Sequence, residues 1–219
     1  MTHMTLIRHG QANASATDEA GYDQLSDLGH QQAKWLGEHF EQAGQDFSRI
    51  YSGTMKRHIQ TAEGLGATRF GSLTQDARLN EFPYYSLRAA YERQFGAVDP
   101  QTQEDFAILL CELLERWEAN QLDDVSESCA GFFQRVAEVM DDIAAGDGPA
   151  LVVTSGGFIS TAMRHSLGFD LQSWTQTCLA TLNTSVHTWQ PIAGRRHVTQ
   201  FNAVPHLDAA ERREAMTYI

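Results

Sequence analysis

The sequence predicts an α/β fold, a three-layer sandwich in which a mostly parallel central sheet carries helices on both faces. Three observations indicate this class. Short apolar runs typical of strands alternate with segments of helical periodicity along the first half of the chain. The run Ala150–Thr154 is apolar almost throughout, as in a strand buried on both faces. The last apolar runs predict a closing antiparallel hairpin.

The first half of the chain supplies strands and helices in alternation. Met4–Ile7 is an apolar strand that stops at Arg8-His9-Gly10, and the polar segment from Ala12 to Gln24 is predicted as a loop. The elements that follow are a helix with Ser26 as its N-cap that ends near Gly44, a strand over Phe47–Ser52, a helix opened by Gly53-Thr54, and a weaker strand over Leu73–Leu79.

The second half begins with a helical insertion at about 83–123, broken around Gly96 to Pro100. The remaining predicted elements are an amphipathic helix that starts at Ser126 or Ser128 and ends before Gly146, the strand Ala150–Thr154, a helix from Ser155-Gly156-Gly157 to about Leu167, and a hairpin of Leu182–Gln190 with Arg196–Phe201. Because no repeat or linker interrupts this order, we expect a single domain over residues 1–219.

Composition restricts the classes of partner. The net charge is −12, from 16 Lys plus Arg against 28 Asp plus Glu, so the overall field repels nucleic acid and anionic membranes. A small anion can still bind where arginines converge. The three cysteines show no metal-type spacing and suit a reducing compartment. With no signal-peptide pattern and no membrane-spanning apolar run, we expect a cytoplasmic protein.

Arg8-His9-Gly10 is the strongest chemical signal in the chain. Histidine can attack phosphorus, an adjacent arginine can bind phosphate oxygens, and glycine allows close approach of the backbone. Arg57, Glu81 and the turn Ser155-Gly156-Gly157 also follow predicted parallel strands, and the carboxyl ends of such strands share one crevice. The glycine-rich turn also leaves backbone N–H groups at the start of a helix, where anions bind.

Ordered motifs along most of the chain resemble the histidine phosphatase superfamily, the phosphoglycerate-mutase-like fold. The matching stretches are Leu6-Ile7-Arg8-His9-Gly10-Gln11-Ala12, Tyr22-Asp23-Gln24-Leu25-Ser26 with Leu28-Gly29 and Gln32-Ala33, Ser52-Gly53 with Arg57 and Gln60-Thr61-Ala62, Leu79-Asn80-Glu81-Phe82, Val152-Val153-Thr154-Ser155-Gly156-Gly157, and Leu182-Asn183-Thr184-Ser185-Val186. The resemblance implies a parallel sheet with a catalytic site at its carboxyl edge.

The resemblance implies a role for each matched residue. His9 would become a transient phosphohistidine, Arg8 and Arg57 would bind the phosphoryl oxygens, and Glu81 would protonate the leaving alcohol and then activate water. Two guanidinium groups provide the positioning and charge neutralisation that phosphoryl transfer requires. The expected partner is a small phosphorylated substrate, and this scheme needs no metal and no cofactor.

One position departs from the family pattern. Where the resemblance predicts a second histidine followed by glycine, this chain has Ser155 before Gly156. Losing one preorganised donor of this kind slows chemistry by about 10² to 10³. Ser155 and Gly156 remain candidates for phosphate binding through the hydroxyl and backbone N–H groups. His58, next to Arg57, and His187 are candidates for replacing the missing histidine.

The sequence leaves several functional alternatives open. The leading hypothesis is a phosphomonoesterase that acts through His9, and the alternative is a non-catalytic or impaired phosphate-binding homologue. A mutase is less favoured because Gln11-Ala12 follow Arg-His-Gly, where the superfamily's mutases usually have Glu-Ser. The aromatic residues Phe82, Tyr84, Tyr85 and Trp117 are interpreted as packing of the insertion, with a lid over the substrate as the alternative. The sequence settles neither the substrate nor the oligomeric state, for which a homodimer is one option.

Overall fold

The structure is a computed structural model that describes residues 2–13, 16 and 19–218. Its strands are β1 (Met4–Arg8), β2 (Arg49–Ser52), β3 (Leu73–Gln75), β4 (Ala150–Thr154), β5 (Val186–Ile192) and β6 (Arg195–Ala203). They form one sheet in the order β3-β2-β4-β1-β5-β6. The pairs β1–β4, β2–β4 and β2–β3 are parallel, whereas β1–β5 and β5–β6 are antiparallel. The predicted mostly parallel sheet with a closing hairpin is confirmed.

Helices account for most of the remaining described chain. They are α1 (Glu19–Tyr22), α2 (Asp27–Gln42), α3 (Lys56–Gly64), α4 (Tyr84–Phe95), α5 (Gln103–Glu118), α6 (Cys129–Ala145), α7 (Gly156–Leu167) and α8 (Leu171–Ala180). Short 3-10 helices lie at Ala67–Arg69, Ala77–Leu79, Pro205–Leu207 and Ala210–Ala215. None of the helices in the described ranges has the length and apolar character needed to cross a membrane.

Both faces of the sheet are covered by helices. Because successive side chains of a strand point to opposite faces, Val152 packs in an apolar cluster with α4 to α8, and its neighbour Val153 packs in a second cluster with α2 and α3. Both valines are fully buried, which stabilises the fold by roughly 1.5–3 kcal/mol each. This burial on two faces explains the continuous apolar run of β4 and confirms the three-layer α/β class.

Four local features differ from the predicted elements. The predicted loop from Ala12 to Gln24 contains α1, and part of it lies outside the described residues. The predicted strand over Leu73–Leu79 ends at Gln75, because the Asp76 carboxylate accepts from the Arg78 N–H and starts a 3-10 turn. The hairpin reverses at Ala193 and Gly194, so Pro191 belongs to β5. Helix α8 is an additional element that none of the predicted ones covers.

The carboxyl ends of β1, β2 and β4 lie side by side at one edge of the sheet. Register pairs Arg8 with Thr154, and Ser52 with Val153. Helices α3 and α7 begin a few residues past these ends, so their N-terminal turns meet at the same edge. This edge is therefore where the side chains that follow the parallel strands converge.

Candidate active site

His9 follows β1 directly and is held by backbone contacts on two sides. Its N–H donates to the Thr154 carbonyl of β4 (2.9 Å), and its carbonyl accepts from the Asn183 side-chain amide (3.1 Å). The residue is 3% exposed, and its Nδ1 lies 2.7 Å from the Gly10 carbonyl oxygen. Because a carbonyl only accepts hydrogen bonds, Nδ1 carries the ring proton and Nε2 keeps a lone pair.

The surroundings of His9 keep its imidazole neutral. Arg57 Nε–H donates to His9 Nε2 over 3.2 Å, which is consistent with a lone pair at that atom. Burial, followed by the positive charges of Arg57 and Arg8, lowers the pKa of His9 well below its ordinary value of 6.5. At neutral pH the Nε2 atom is therefore an unprotonated nitrogen beside two guanidinium groups.

Arg8 brings a charged group with spare donor capacity to the same edge. It is buried, and its Nη1 donates to the Thr181 carbonyl just after α8. Its Nε has no hydrogen-bond partner within the described part of the chain. Burial lowers the pKa of Arg8, yet a guanidinium titrates so high that it stays charged at neutral pH. A buried charged donor without an acceptor favours an anionic ligand.

Arg57 is fixed from a second direction by Asp23. Its Nη1 donates to Asp23 Oδ1 over 2.9 Å, and the Tyr22 ring centroid lies 5.5 Å from its guanidinium carbon. Asp23 also accepts from the Lys56 N–H (3.0 Å), so the carboxylate stabilises the start of α3. Its position one residue into α3 and the Asp23 contact together direct the Arg57 side chain toward His9.

Glu81 faces the same space from the segment after the 3-10 turn. Its Oε1 accepts from the Phe82 N–H (3.0 Å) and its Oε2 from the Gly157 N–H (3.1 Å). Arg135 of α6 holds this segment by donating to the carbonyls of Asn80 (2.8 Å) and Glu81 (3.0 Å). A Cβ at position 157 would collide with Glu81 Oε1 and the Phe82 ring, so glycine at this position lets both side chains keep their places. Burial raises the pKa of Glu81 above its ordinary value of 4.5, as a general acid requires.

These groups line one cavity of about 400 Å³. Arg8, His9, Arg57, Glu81 and Gly156 are part of its lining, so the structure brings five of the six predicted site residues to one surface. The rest of the lining consists mainly of apolar and aromatic residues; it includes Tyr22, Met55, Phe82, Pro83, Tyr84, Tyr85, Arg88, Pro100, Phe106 and Leu110. Trp117 instead packs in the core at 2% exposure.

Ser155, the sixth predicted residue, lies behind that surface. It is fully buried, and its Oγ is 2.5 Å from His58 Nε2. His58 is also fully buried, with its ring centroid 5.6 Å from that of His9. His187, the other candidate for the missing histidine, lies in β5, where its Nε2 and the Ser185 Oγ share a hydrogen bond of 2.8 Å. Of the two candidates, only His58 has its ring packed against that of His9.

Several residues that hold the site were given no role from the sequence. Asp23, Arg135 and Thr181 fix the two site arginines and the Glu81 segment, although they are far from those residues along the chain. Thr61 accepts from the Gly10 N–H (3.0 Å) and so ties α3 to the segment after β1. The motif positions of Asp23 and Thr61 were visible signals, whereas nothing in the sequence marks Arg135. For metal binding, a search of the described residues finds no group of three or more His, Cys, Asp or Glu side chains placed to hold an ion.

Solved structures similar to this chain share its fold. YhfR from Bacillus stearothermophilus aligns with a TM-score of 0.71 and 24% identity over 94% of this chain and 99% of its own. A mutant phosphoserine phosphatase from Entamoeba histolytica, in complex with phosphoserine, has a TM-score of 0.69 and 21% identity, with 94% and 100% covered. A phosphoglycerate mutase from Bacillus anthracis str. Sterne has a TM-score of 0.67 and 21% identity, with 94% of each chain covered.

A family model decides membership more directly than these distant structures do. The model of the histidine phosphatase superfamily (branch 1) matches residues 4–204, which include every residue described above as lining or supporting the cavity. The chain therefore belongs to branch 1 of the histidine phosphatase superfamily and is an enzyme of the histidine-type phosphatase class.

Proposed function

We propose that this enzyme is a phosphomonoesterase that transfers a phosphoryl group from a small phosphorylated metabolite to His9 and then to water. The observation that carries the proposal is the state of His9. Its Nδ1 proton is committed to the Gly10 carbonyl, and its Nε2 lone pair lies in the cavity beside Arg57. An unprotonated imidazole nitrogen between two buried guanidinium groups is suited to attack a phosphoryl group.

In the first step His9 Nε2 forms a bond to phosphorus while the bond from phosphorus to the substrate oxygen breaks. The phosphoryl oxygens replace Nε2 as acceptors for Arg57 and bind the guanidinium of Arg8, which also lines the cavity. Protonated Glu81 gives its proton to the departing oxygen, so the alcohol leaves neutral. The imidazole retains its Nδ1 proton throughout, with the Gly10 carbonyl stabilising the charge that develops on the ring.

In the second step Glu81 acts in the reverse sense. Its carboxylate takes a proton from water as the water oxygen bonds to phosphorus and the bond to His9 breaks. The lone pair returns to Nε2, inorganic phosphate is released, and Glu81 is again protonated. No step of this scheme requires a metal ion or cofactor.

The remaining lining of the cavity, outside the predicted site residues, favours a leaving group with apolar surface. Tyr84, Tyr85 and Phe106 belong to it, and among its described residues the one cation is Arg88. That guanidinium is paired with Glu92 (2.8 Å) and donates to the Val98 carbonyl, so its charge is largely compensated. We therefore infer that the leaving group of the substrate, the part that carries no phosphate, is uncharged or aromatic.

The test is hydrolysis of phosphate monoesters in the presence of a metal chelator by the wild type and by His9→Ala. We expect chelator-resistant turnover in the wild type and a loss of nearly all of it in His9→Ala. When a reaction with substrate labelled in its phosphate is quenched rapidly, the wild-type chain should carry acid-labile labelled phosphate, and the His9→Ala chain should carry none. Substantial chelator-resistant turnover in His9→Ala would remove the mechanism.

A matched control is His30→Ala. His30 lies exposed on α2, so its removal deletes an imidazole without touching the cavity. It should keep wild-type turnover and labelling. A wild-type chain that binds phosphate but neither hydrolyses monoesters nor acquires label would instead be a phosphate-binding homologue, and one that isomerises phosphoglycerate would be a mutase.

A further inference from the structure

The imidazole of His58 lies at the back of the phosphoryl site. It follows Arg57 in the first turn of α3, is fully buried, and has its ring centroid 5.6 Å from that of His9 with the planes tilted by 32°. The chain leaves room for this ring at Gly53, because a Cβ there would collide with His58 Nδ1. A buried imidazole in direct contact with the nucleophile, for which space is provided, is placed to influence the reaction.

The side chain of Ser155 forms an unusual hydrogen bond. It is the N-cap of α7, a position where a serine hydroxyl normally accepts an N–H from the first turn of its own helix. Here the hydroxyl makes no such bond, and its Oγ lies 2.5 Å from His58 Nε2. The next residue, Gly156, lines the cavity between Arg8 and Gly157. The Ser155–His58 pair therefore joins the starts of α3 and α7 just behind the phosphoryl site.

The hydrogen-bond partners of His58 assign its tautomer. Its Nδ1 is buried and has no partner in the described part of the chain. A buried N–H without an acceptor is rarer and costlier than a buried lone pair, so we assign the ring proton to Nε2. His58 Nε2–H then donates to Ser155 Oγ, and the hydroxyl hydrogen of Ser155 is not needed in that bond.

We propose, on the basis of the function above, that His58 and Ser155 work as one donor pair at the phosphoryl site. His58 holds the Ser155 hydroxyl so that its hydrogen turns toward the phosphoryl group on His9, and the pair replaces the histidine that the resemblance predicts at position 155. His58 is then a positioning residue that acts through Ser155. Neither residue alone supplies the donor.

The test compares His58→Ala, Ser155→Ala, the double variant and the exchanged variant His58→Ala/Ser155→His. Each single change should lower kcat by about 10²- to 10³-fold with a much smaller change in KM, because the donor acts on the developing charge. The double variant should fall within about threefold of the slower single variant, because the second change removes nothing further. The exchanged variant should regain at least tenfold over His58→Ala, because an imidazole on α7 fills the vacated space.

Any one of the following results would overturn the proposal: single losses that multiply in the double variant, a His58→Ala kcat within about threefold of wild type, or an exchanged variant no faster than His58→Ala. Thermal unfolding midpoints identify any variant that has lost its fold. If His58→Ala is unfolded, Ser155→Ala decides, since it removes one hydroxyl only. A wild-type kcat in Ser155→Ala overturns the proposal.

Binding of inorganic phosphate, measured by calorimetry, separates this inference from the proposed function. Phosphate should bind about tenfold more weakly to either single variant than to the wild type, whether or not the wild type turns over. His30→Ala should bind phosphate as the wild type does. If the wild type proves inactive but both single variants still bind phosphate more weakly than it does, the proposed esterase function is refuted and the proposed donor pair is supported. Unchanged phosphate affinity together with unchanged kcat would refute the pair alone.

Discussion

Glu81→Gln tests the proton transfer on which the proposed reaction depends. Glutamine has nearly the same shape, but it neither donates an acidic proton nor accepts one from water. Both Glu81 oxygens accept backbone N–H groups, from Phe82 at 3.0 Å and Gly157 at 3.1 Å. Because glutamine has one carbonyl oxygen, one of these N–H groups loses its acceptor, at a cost to stability of about 1–3 kcal/mol. The fold should survive that loss.

The catalytic loss should depend strongly on the leaving group. A positioned general acid contributes about 10²–10⁴ in rate, or roughly 3–5 kcal/mol of barrier. Glu81→Gln should show that loss in kcat/KM for alkyl phosphates, whose alkoxide cannot leave unprotonated. For p-nitrophenyl phosphate the phenolate leaves without help, so the loss should be less than about tenfold in the phosphorylation step. Single-turnover assays on the two substrates measure this difference.

The pH dependence supplies an independent readout. Burial raises the pKa of Glu81 above 4.5, so its acid form is present below the raised value and is lost as pH rises through it. The pKa of His9 is far below 6.5, so the nucleophile stays available on the acid side. Turnover of alkyl phosphates should therefore fall with rising pH, and Glu81→Gln should lack that fall. Equal slowing on both substrates with an unchanged pH profile would refute the role, and Glu41→Gln, on the exposed side of α2, is the matched control.

Three further outcomes follow from the packing and charge of the fold. Gly157→Ala should reduce alkyl phosphate hydrolysis about as much as loss of Glu81, because the added methyl displaces that carboxylate, and steady-state assays check this. Burial lowers the pKa of His187 and His206 to about 3 in the folded chain. In the unfolded chain both imidazoles bind a proton once the pH falls below about 6.5. Each histidine therefore lowers the free energy of unfolding by up to about 1.4 kcal/mol for every pH unit below about 6.5. Denaturation at pH 7, 6 and 5 should show this decline, and His187→Gln should make it shallower. Benzyl phosphate, whose leaving group is an alkoxide like that of 3-phosphoglycerate, should have the higher kcat/KM of the two, because Arg88 is paired with Glu92 and offers the carboxylate of 3-phosphoglycerate no uncompensated charge. The reverse order would refute the inference of an uncharged or aromatic leaving group.

The elements that the sequence predicted well are those whose signal is local. The apolar run of β4 and the serine N-cap of α2 reflect burial and capping within a few residues, and the structure has both. The sequence did not predict helix α8, because its polar residues interrupt the apolar spacing of a helix. Its N-cap is nevertheless a local feature, since Asp170 accepts from the Ser173 N–H. The strand after Leu73 was predicted too long because the turn at Asp76 depends on one side-chain contact.

The site shows the same division between local and long-range information. His9 and Arg57 could be predicted to lie at the same site because each stands in a short motif beside a strand end, and both line the cavity. The contact between His58 and Ser155 joins residues 97 positions apart, and no pattern within either segment specifies it. The position of a residue in a helix also does not predict the direction of its side chain. The ring of His58 can lie at the site because Gly53 has no side chain in the space that the ring occupies.

Charge at two length scales determines which anions reach His9. The chain carries a net charge of −12, which repels a large polyanion over its whole surface. Inside the cavity the balance of charge is reversed, since Arg8 and Arg57 are both buried there and the carboxylate of Asp23 is paired with Arg57. A phosphoryl group supplies the counter-charge that Arg8 lacks, and screening beyond about 10 Å hides the distant carboxylates from it. Because this local attraction covers only one phosphoryl group, we expect the cavity to bind a small monoester in preference to a nucleic acid, even though both present the same phosphate chemistry.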